Sequence, residues 1–366
     1  MAVLDAEHDH GAVSASAWLL YVVFALYCLA SLASLLGGQW WGFEVFTHFR
    51  PQLVLAGAAL AIALSMVPRA VAALIAAAFA GIHLVPVLPY YLDSPAMPGR
   101  AAEASAETSA QLPPGSGRGL RLAVLNLQNG NGNRVKVLRL LLDFRPDIAL
   151  VTEFTEPPLA LFGDLGDVLP HRVGSPVAGT HELLVMSRHP IRSVRWHYPS
   201  GPALPVLEAE ICPPDGCLTV IALHAIWPFA RRGARQAAMF ATVAARAARR
   251  ADGRVVVMGD LNATPYAPSF AALLKAGRLV DGARGHRRRP TWLTRVPLLG
   301  LAIDHVLLGG AFVARDARVL PGFGADHFPL LVDIVTAGNR PSIALGQARD
   351  RVPDPAPTDL PRLSLP

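Results

Sequence analysis

The chain has 366 residues, of which 52% are hydrophobic and only 16% charged. Soluble domains carry about 25% charged residues, so the composition argues against a chain that lies wholly in water. The net charge of +6 is almost all arginine, the only lysines being Lys136 and Lys275. A basic balance suits phosphates, nucleic acid or lipid head groups; a plain bias towards Arg is the alternative.

Residues 1–17 are polar and carry no Lys or Arg, so the positive start of a cleaved signal peptide is missing. Residues 17–38 then run for about 20 positions without a charge, the length a helix needs to cross a bilayer. A second apolar run, 51–67, is short for a span and needs a tilted neighbour, a thin bilayer or flanking residues. The third, 70–92, holds Pro86 and Pro89 near its end. Trp40, Trp41, Tyr90 and Tyr91 suit a membrane interface. The pattern therefore predicts an N-terminal membrane region, 1–92, with about three transmembrane helices (17–38, 51–67, 70–92); the helical core of a soluble domain is the alternative. His83 lies inside the third run, as a functional intramembrane group or one reaching the interface.

Residues 93–119 are rich in Ala, Ser, Pro and Gly and read as a flexible linker. Short apolar strands then alternate with loops and helices over 120–336, which predicts one α/β domain. The clearest strands are LRLAVLNL, DIALVTEF, ELLVMSR, CLTVIALHA, RVVVMGDLN, AIDHVLLGG and PLLVDIV; the clearest helices are 134–143 and 233–250. Cys212 and Cys217 flank PPDG between two strand-like segments, the base of a hairpin. A bridge there implies an oxidising compartment; two buried thiols are the alternative. The Pro-rich tail, 337–366, is expected to be disordered.

Several strands end in a residue suited to phosphate or metal chemistry. These are Asn126, Glu153, His224, Asp260 with Asn262, Asp304, and Asp326 with His327. Each alone has an ordinary reading as a turn, cap or core residue. Together they describe a site, because burying acids and histidines costs several kcal/mol unless they are paired or hold a cation. In extended chain, Asp260 and Asn262 share a face, with Leu261 opposite. An oxygen-rich set without a Cys–His cluster suits Mg²⁺ or Mn²⁺ rather than structural zinc. Two histidines with carboxylate partners suit acid–base work.

Over residues 120–334 the ordered blocks DIALVTE, SRHP, a strand-end His, GDLNATP, IDHVLL and GADHFPLL resemble the endonuclease/exonuclease/phosphatase superfamily, which includes DNase I-like nucleases, sphingomyelinases and inositol-polyphosphate phosphatases. The apolar runs ahead of them resemble the VanJ-like, membrane-anchored subgroup. The resemblance implies a two-sheet β-sandwich flanked by helices and a metal-dependent phosphoesterase. It implies Glu153 as main metal ligand, with Asn126 and Asp326 beside the metal. Asp260 would orient or deprotonate water, Asn262 hold a phosphate oxygen, His327 contact the phosphate, Asp304 fix its ring, and His224 be a second phosphate-facing imidazole. The pattern departs from the superfamily at His181 and Glu182; Glu182 is a candidate partner for His224, with a solvent-facing residue as the alternative.

Arg231, Arg232 and Arg235 form a basic loop suited to phosphate, or merely a solvated one. The expected function is a membrane-anchored phosphatase or phosphodiesterase acting on a phosphate or diphosphate ester, lipid-linked or isoprenoid. A tethered nuclease and a silent binding module are the rivals. Arg50, Arg69 and Arg100 favour a cytoplasmic catalytic region. The candidate disulfide and the VanJ-like resemblance favour an extracytoplasmic one, which is the expectation.

Overall fold

A computed structural model describes residues 15–66, 70–92, 119–129, 133–154, 162–175, 181–229, 232–286 and 289–337. The expected linker and tail, and Arg231, lie outside the described residues, apart from Gly119 and Ala337 at their edges.

Four helices come first: α1 (Ala15–Leu35), α2 (Trp41–Thr47), α3 (Arg50–Ser65) and α4 (Ala70–Val87). Trp18–Leu35 and Ala70–Tyr90 have mean hydropathies of 2.0 and 2.3 and are long and apolar enough to cross a membrane. The expected 51–67 run is instead a 16-residue helix joined to α2 across a 66° bend. Pro51 in the first turn of α3 explains the break. It has no N–H to give, and its ring collides with the carbonyl four residues back, so a helix can start there but not run through. Tyr27, Leu53, Leu60, Leu64 and Ala76 form the core of this bundle. Gly57 makes room for it, since a Cβ there would overlap the Tyr27 hydroxyl. His83 is buried within the bundle.

Twelve strands follow among the described residues, in two six-stranded sheets. The first holds β1 (Leu120–Asn126), β2 (Ile148–Thr152), β3 (His171–Gly174), β4 (Leu183–Ser187), β11 (Phe312–Val319) and β12 (Leu330–Thr336), in the order β11-β12-β1-β2-β4-β3. The second holds β5 (Ile191–His197), β6 (Val206–Ile211), β7 (Leu218–His224), β8 (Val255–Asp260), β9 (Val280–Asp281) and β10 (Asp304–Leu308), in the order β5-β6-β7-β8-β10-β9. Within each sheet one pair is parallel, β1 with β2 and β7 with β8, and the other pairs are antiparallel.

Strand alternation builds the layers. Leu122, Val124, Ile148, Leu150, Val220, Ala222, Val256 and Met258 face inward, into the core between the sheets. Their neighbours face outward. Ala123, Leu125, Ala149 and Val151 pack beneath α5 (Arg134–Phe144) through Val137 and Leu141. Ile221, Leu223, Val255 and Val257 pack beneath α6 (Arg232–Ala248) and α7 (Pro268–Gly277) through Met239, Phe240, Val243 and Phe270. Each buried Leu, Ile, Val, Met or Phe among them contributes about 1.5–3 kcal/mol. Cys212 and Cys217 are bridged at the base of the β6–β7 hairpin.

Candidate active site

The inward-facing series of several strands end in polar residues. Leu122 and Val124 are followed on the same face by Asn126, Val220 and Ala222 by His224, and Val256 and Met258 by Asp260. On β10, running the other way, Val306 is preceded by Asp304. Sheet register brings them level: His224 pairs with Asp260 across the parallel β7–β8 ladder, and Asp304 with Asp260 across β8–β10. The site is the polar end of the intersheet core.

Glu153 breaks the alternation. Ile148 and Leu150 face the intersheet core, so a continuing strand would turn residue 153 outward. Its φ of +55° ends the strand and brings its carboxylate inward. The Asn126 amide Nδ2 donates to Glu153 Oε1 at 3.0 Å and to Asp260 Oδ2 at 3.1 Å. Its Oδ1 accepts from the Gln128 N–H at 2.9 Å. A backbone N–H can face only the amide oxygen, so this bond fixes the amide orientation. Asn126 therefore reaches the site expected of it, but its NH₂ faces the acids; as a metal ligand it would have to turn its oxygen towards them.

His224 Nε2 lies 3.6 Å from both Glu153 Oε1 and Asp260 Oδ2. The ring packs against His181, with centroids 4.4 Å apart. The imidazole nitrogen thus faces Glu153 and Asp260, and His181 from the departing segment packs on the ring. Burial, then Arg235 and Arg232, lowers the His181 pKa. Burial raises that of Glu153, with the Asn126 bond and His327 opposing it. Burial beside Asp304 pushes Asp260 up to about 8, against the pull of His327.

His327 Nδ1 donates to Asp304 Oδ2 at 2.9 Å, and its Nε2 lies 3.8 Å from Asp260 Oδ2. Burial would lower its pKa, but the Asp304 charge and hydrogen bond, backed by Asp260 and Asp326, lift it to about 9. Asp304 is itself held from behind, since the Ile303 and Asp304 N–H groups both donate to Thr291 Oγ1. Asp326 influences Glu153 and His327 by charge, yet its carboxylate accepts from Trp292 Nε1 at 3.2 Å.

Asn262 does not extend β8, as the shared-face expectation required. Its φ is +48°, its N–H donates to Asp260 Oδ1 at 2.9 Å, and its Nδ2 donates to Ala225 O at 2.8 Å. The segment is both strand end and turn: the Asp260 side chain closes the turn that places Asn262. The loop is gripped by residues the motif reading missed. Gln236 on α6 donates to the carbonyls of Ile226, Leu261 and Asn262. His305 Nε2 bonds Ala263 O at 2.8 Å, and His48, between α2 and α3, accepts from the Thr264 N–H at 3.2 Å. A lone Gln on the buried face of an Ala-rich helix was the one available signal.

Beside these groups opens a cleft of about 330 Å³ lined by Glu153, His181, His224, Trp227, Arg232 and Asn262, among others. Arg232 is exposed at its edge. Arg235 donates to Ser200 O at 2.8 Å, so its guanidinium is already engaged, although its charge still acts on His181. Glu153, His224 and Asp260 offer donor atoms all within 4.8 Å of one another, and so do Asp260, Asp304 and His327. Carboxylates outnumber imidazoles here, and burial pushes two of them towards the neutral form. Such a donor set fits a hard divalent cation, whose charge would offset the excess.

The described fold and this site can be set beside known proteins. The structure resembles an endonuclease/exonuclease/phosphatase from Beutenbergia cavernae DSM 12333 (20% identity, 60% of this chain and 72% of that one, TM-score 0.50). It also resembles a family protein from Bacteroides thetaiotaomicron (16%, 61% and 97%, 0.51) and the mannosyl-6-phosphatase Bt3783 of Bacteroides thetaiotaomicron VPI-5482 (17%, 59% and 99%, 0.51). These likenesses show the DNase I-like fold. No curated protein matches the chain. Residues 123–336, more than half of the chain, match the family described as Endonuclease/Exonuclease/phosphatase. The chain belongs to that family, whose enzymes are divalent-metal-dependent hydrolases of phosphoester bonds.

Proposed function

We propose that the protein is a membrane-anchored, Mg²⁺-dependent phosphoesterase that hydrolyses a phosphate or diphosphate ester carried by a lipid or isoprenoid at the outer membrane surface. The observation that carries this reading is the convergence of Asn126, Glu153, His224, Asp260, Asp304 and His327 at one end of the intersheet core, beside a cleft edged by Arg232. Glu153 and Asp260 would hold the cation, with Asp326 adding charge nearby. The cation would neutralise phosphate charge and favour attack on phosphorus.

The protein's own groups do the rest. Asp260, ionised once the cation is bound and 3.6 Å from His224 Nε2 and 3.8 Å from His327 Nε2, would orient the attacking water or accept its proton. His327, kept cationic by Asp304, can donate to a phosphate oxygen as negative charge builds. His224 faces the same space from the other sheet strand, and Arg232 can fork onto a second phosphate. The helices α1 and α4, with α2–α3 as a broken third span, would supply the anchor. The Cys212–Cys217 bridge supports an extracytoplasmic catalytic region.

The test is a phosphate-release screen of the purified protein with Mg²⁺, against lipid diphosphates and plasmid DNA, with an Asp260→Ala control. Turnover confined to DNA would favour the tethered nuclease. Turnover unchanged in the control would remove the mechanism, and a silent module would release nothing.

A further inference from the structure

The N-terminal helices are tied directly to the catalytic region, always at the same end of the bundle. Glu44 on α2 accepts from the Ser269 N–H at 3.0 Å, in the first turn of α7. His48 bonds Thr264 of the GDLNATP loop, with Nδ1 3.0 Å from the hydroxyl. Gln52, in the first turn of α3, donates to Gly300 O at 3.0 Å and Leu298 O at 3.3 Å. Pro89 O, just beyond α4, accepts from the Gly285 N–H at 3.1 Å. Arg50, opening α3, reaches Ser34 near the end of α1, so the end of α1, the start of α3 and the end of α4 share one level, and the catalytic loops sit on it.

At this level the loops beside the cleft expose apolar side chains. Phe229, two residues after cleft-lining Trp227, is 56% exposed and packs edge-on against Trp41, whose ring lies tilted against that of Trp40. Trp227 packs on Trp292. A few residues on, Leu298 is 72% exposed, and Val296 and Leu299 are also exposed, on the loop that Gln52 holds. Arg295 and Arg232 are exposed among them. Aromatic and aliphatic side chains at helix ends, interleaved with cations, have the make-up of a surface that meets lipid head groups.

We propose that Trp40, Phe229, Val296, Leu298 and Leu299 form a rim seated in the head-group boundary of the bilayer, which turns the cleft mouth towards the membrane and admits a lipid-borne phosphate from that side. The occupant is lipid because the rim continues the apolar surface of helices that carry exposed Leu29, Leu55, Leu74 and Val85. The latches at Glu44, His48, Gln52 and Pro89 fix its height against those helices. The inference rests on the membrane-surface reading of the function for its substrate, but not for the lipid contact itself.

The contact is read without substrate. Spin labels at Leu298→Cys or Phe229→Cys, in a Cys28→Ser background in lipid nanodiscs, should collide more with lipid-soluble oxygen than with an aqueous nickel chelate. A label at Arg192→Cys, on exposed strand β5, should do the reverse. Free nickel access at 298 and 229 overturns the proposal. So does shielding from both reagents in a protein that sizes as a dimer, which would make the rim a protein interface. The orientation is read by turnover in the same nanodiscs. Leu298→Asp with Leu299→Asp should cut release from a long-chain isoprenoid diphosphate at least tenfold and change release from its water-soluble five-carbon analogue less than twofold. Equal loss on both, with an unchanged melting temperature, refutes the orientation. A wild type inactive on both refutes the phosphoesterase reading, and the labels still decide the lipid contact.

Discussion

Replacing Asp304 by Asn isolates the charge that keeps His327 protonated. Both side chains are buried, at 1% and 4% exposure, and joined by a 2.9 Å bond from Nδ1. Asparagine keeps the size and an acceptor oxygen but loses the charge. In the metal-free protein burial works against the imidazolium, and Asp304 is the largest influence raising its pKa to about 9. Without that charge the pKa should fall to the ordinary value of about 6.5 or below, a change worth about 3 kcal/mol. At pH 7.5 the cationic fraction would drop from nearly all to roughly a tenth. Ring nitrogen shifts of His327 in the metal-free protein, followed from pH 5 to 10, measure this directly. Because the folded pKa lies above the unfolded one, the stabilisation is complete below about pH 6.5 and vanishes as pH rises through about 9. The stability difference between wild type and Asp304→Asn should therefore shrink across that window. A variant His327 still titrating near 9, or a difference that does not change with pH, would refute the pairing as the source of the charge.

Three other outcomes follow from the same geometry. Asp260 holds a proton up to about pH 8 in the metal-free protein, so Mn²⁺ binding at pH 7 should release about one proton and tighten as pH rises to about 8. Calorimetry in buffers of different ionisation enthalpy measures it, and binding without proton release contradicts Asp260 as a ligand. Gly259→Ala should cost at least about 3 kcal/mol, because its Cβ would overlap the carbonyl of Leu223, its register partner on β7. A melting temperature within a degree of wild type would speak against that close approach. Cys212→Ser should cost roughly 2 kcal/mol from the short loop released, and alkylation of the unreduced wild type should modify Cys28 alone. Three alkylated thiols would mean that the bridge does not form.

Seven of the eight interior strands were legible as apolar runs; the eighth, β6, alternates Glu208 and Glu210 with buried residues and was legible only as a strand-like segment beside the Cys212–Cys217 hairpin. The four strands that were not, β3, β5, β9 and β11, are the edges of the two sheets. Their burial is partial and irregular, as in β5, where four consecutive residues are exposed. An edge strand gets its conformation from one neighbour's hydrogen bonds, which leave no hydrophobic period to read. Helix α2 escaped for a related reason. Its seven residues make one face of a corner set by Pro51 and by partners more than 200 positions away, Thr264 and Ser269.

The site was legible as a list of residues but not as a set of bonds, and the difference has a physical source. Alternation alone carries Asn126, His224, Asp260 and Asp304 inward, so their convergence follows once two sheets share a core. Glu153 and Asn262 reach the cleft only by leaving extended geometry, at φ of +55° and +48°. Such conformations cost of order 1–3 kcal/mol for a non-glycine residue and persist only when the surroundings over-determine them. Here they do. Asn126 grips the Glu153 carboxylate, while Gln236, His305 and His48 hold the chain on both sides of Asn262 from three separate elements. One of those elements is the corner between α2 and α3. The conformation of the GDLNATP loop is therefore set jointly by the sandwich and by the helices that precede it, and a catalytic fragment beginning at residue 119 would lack one of its three holds.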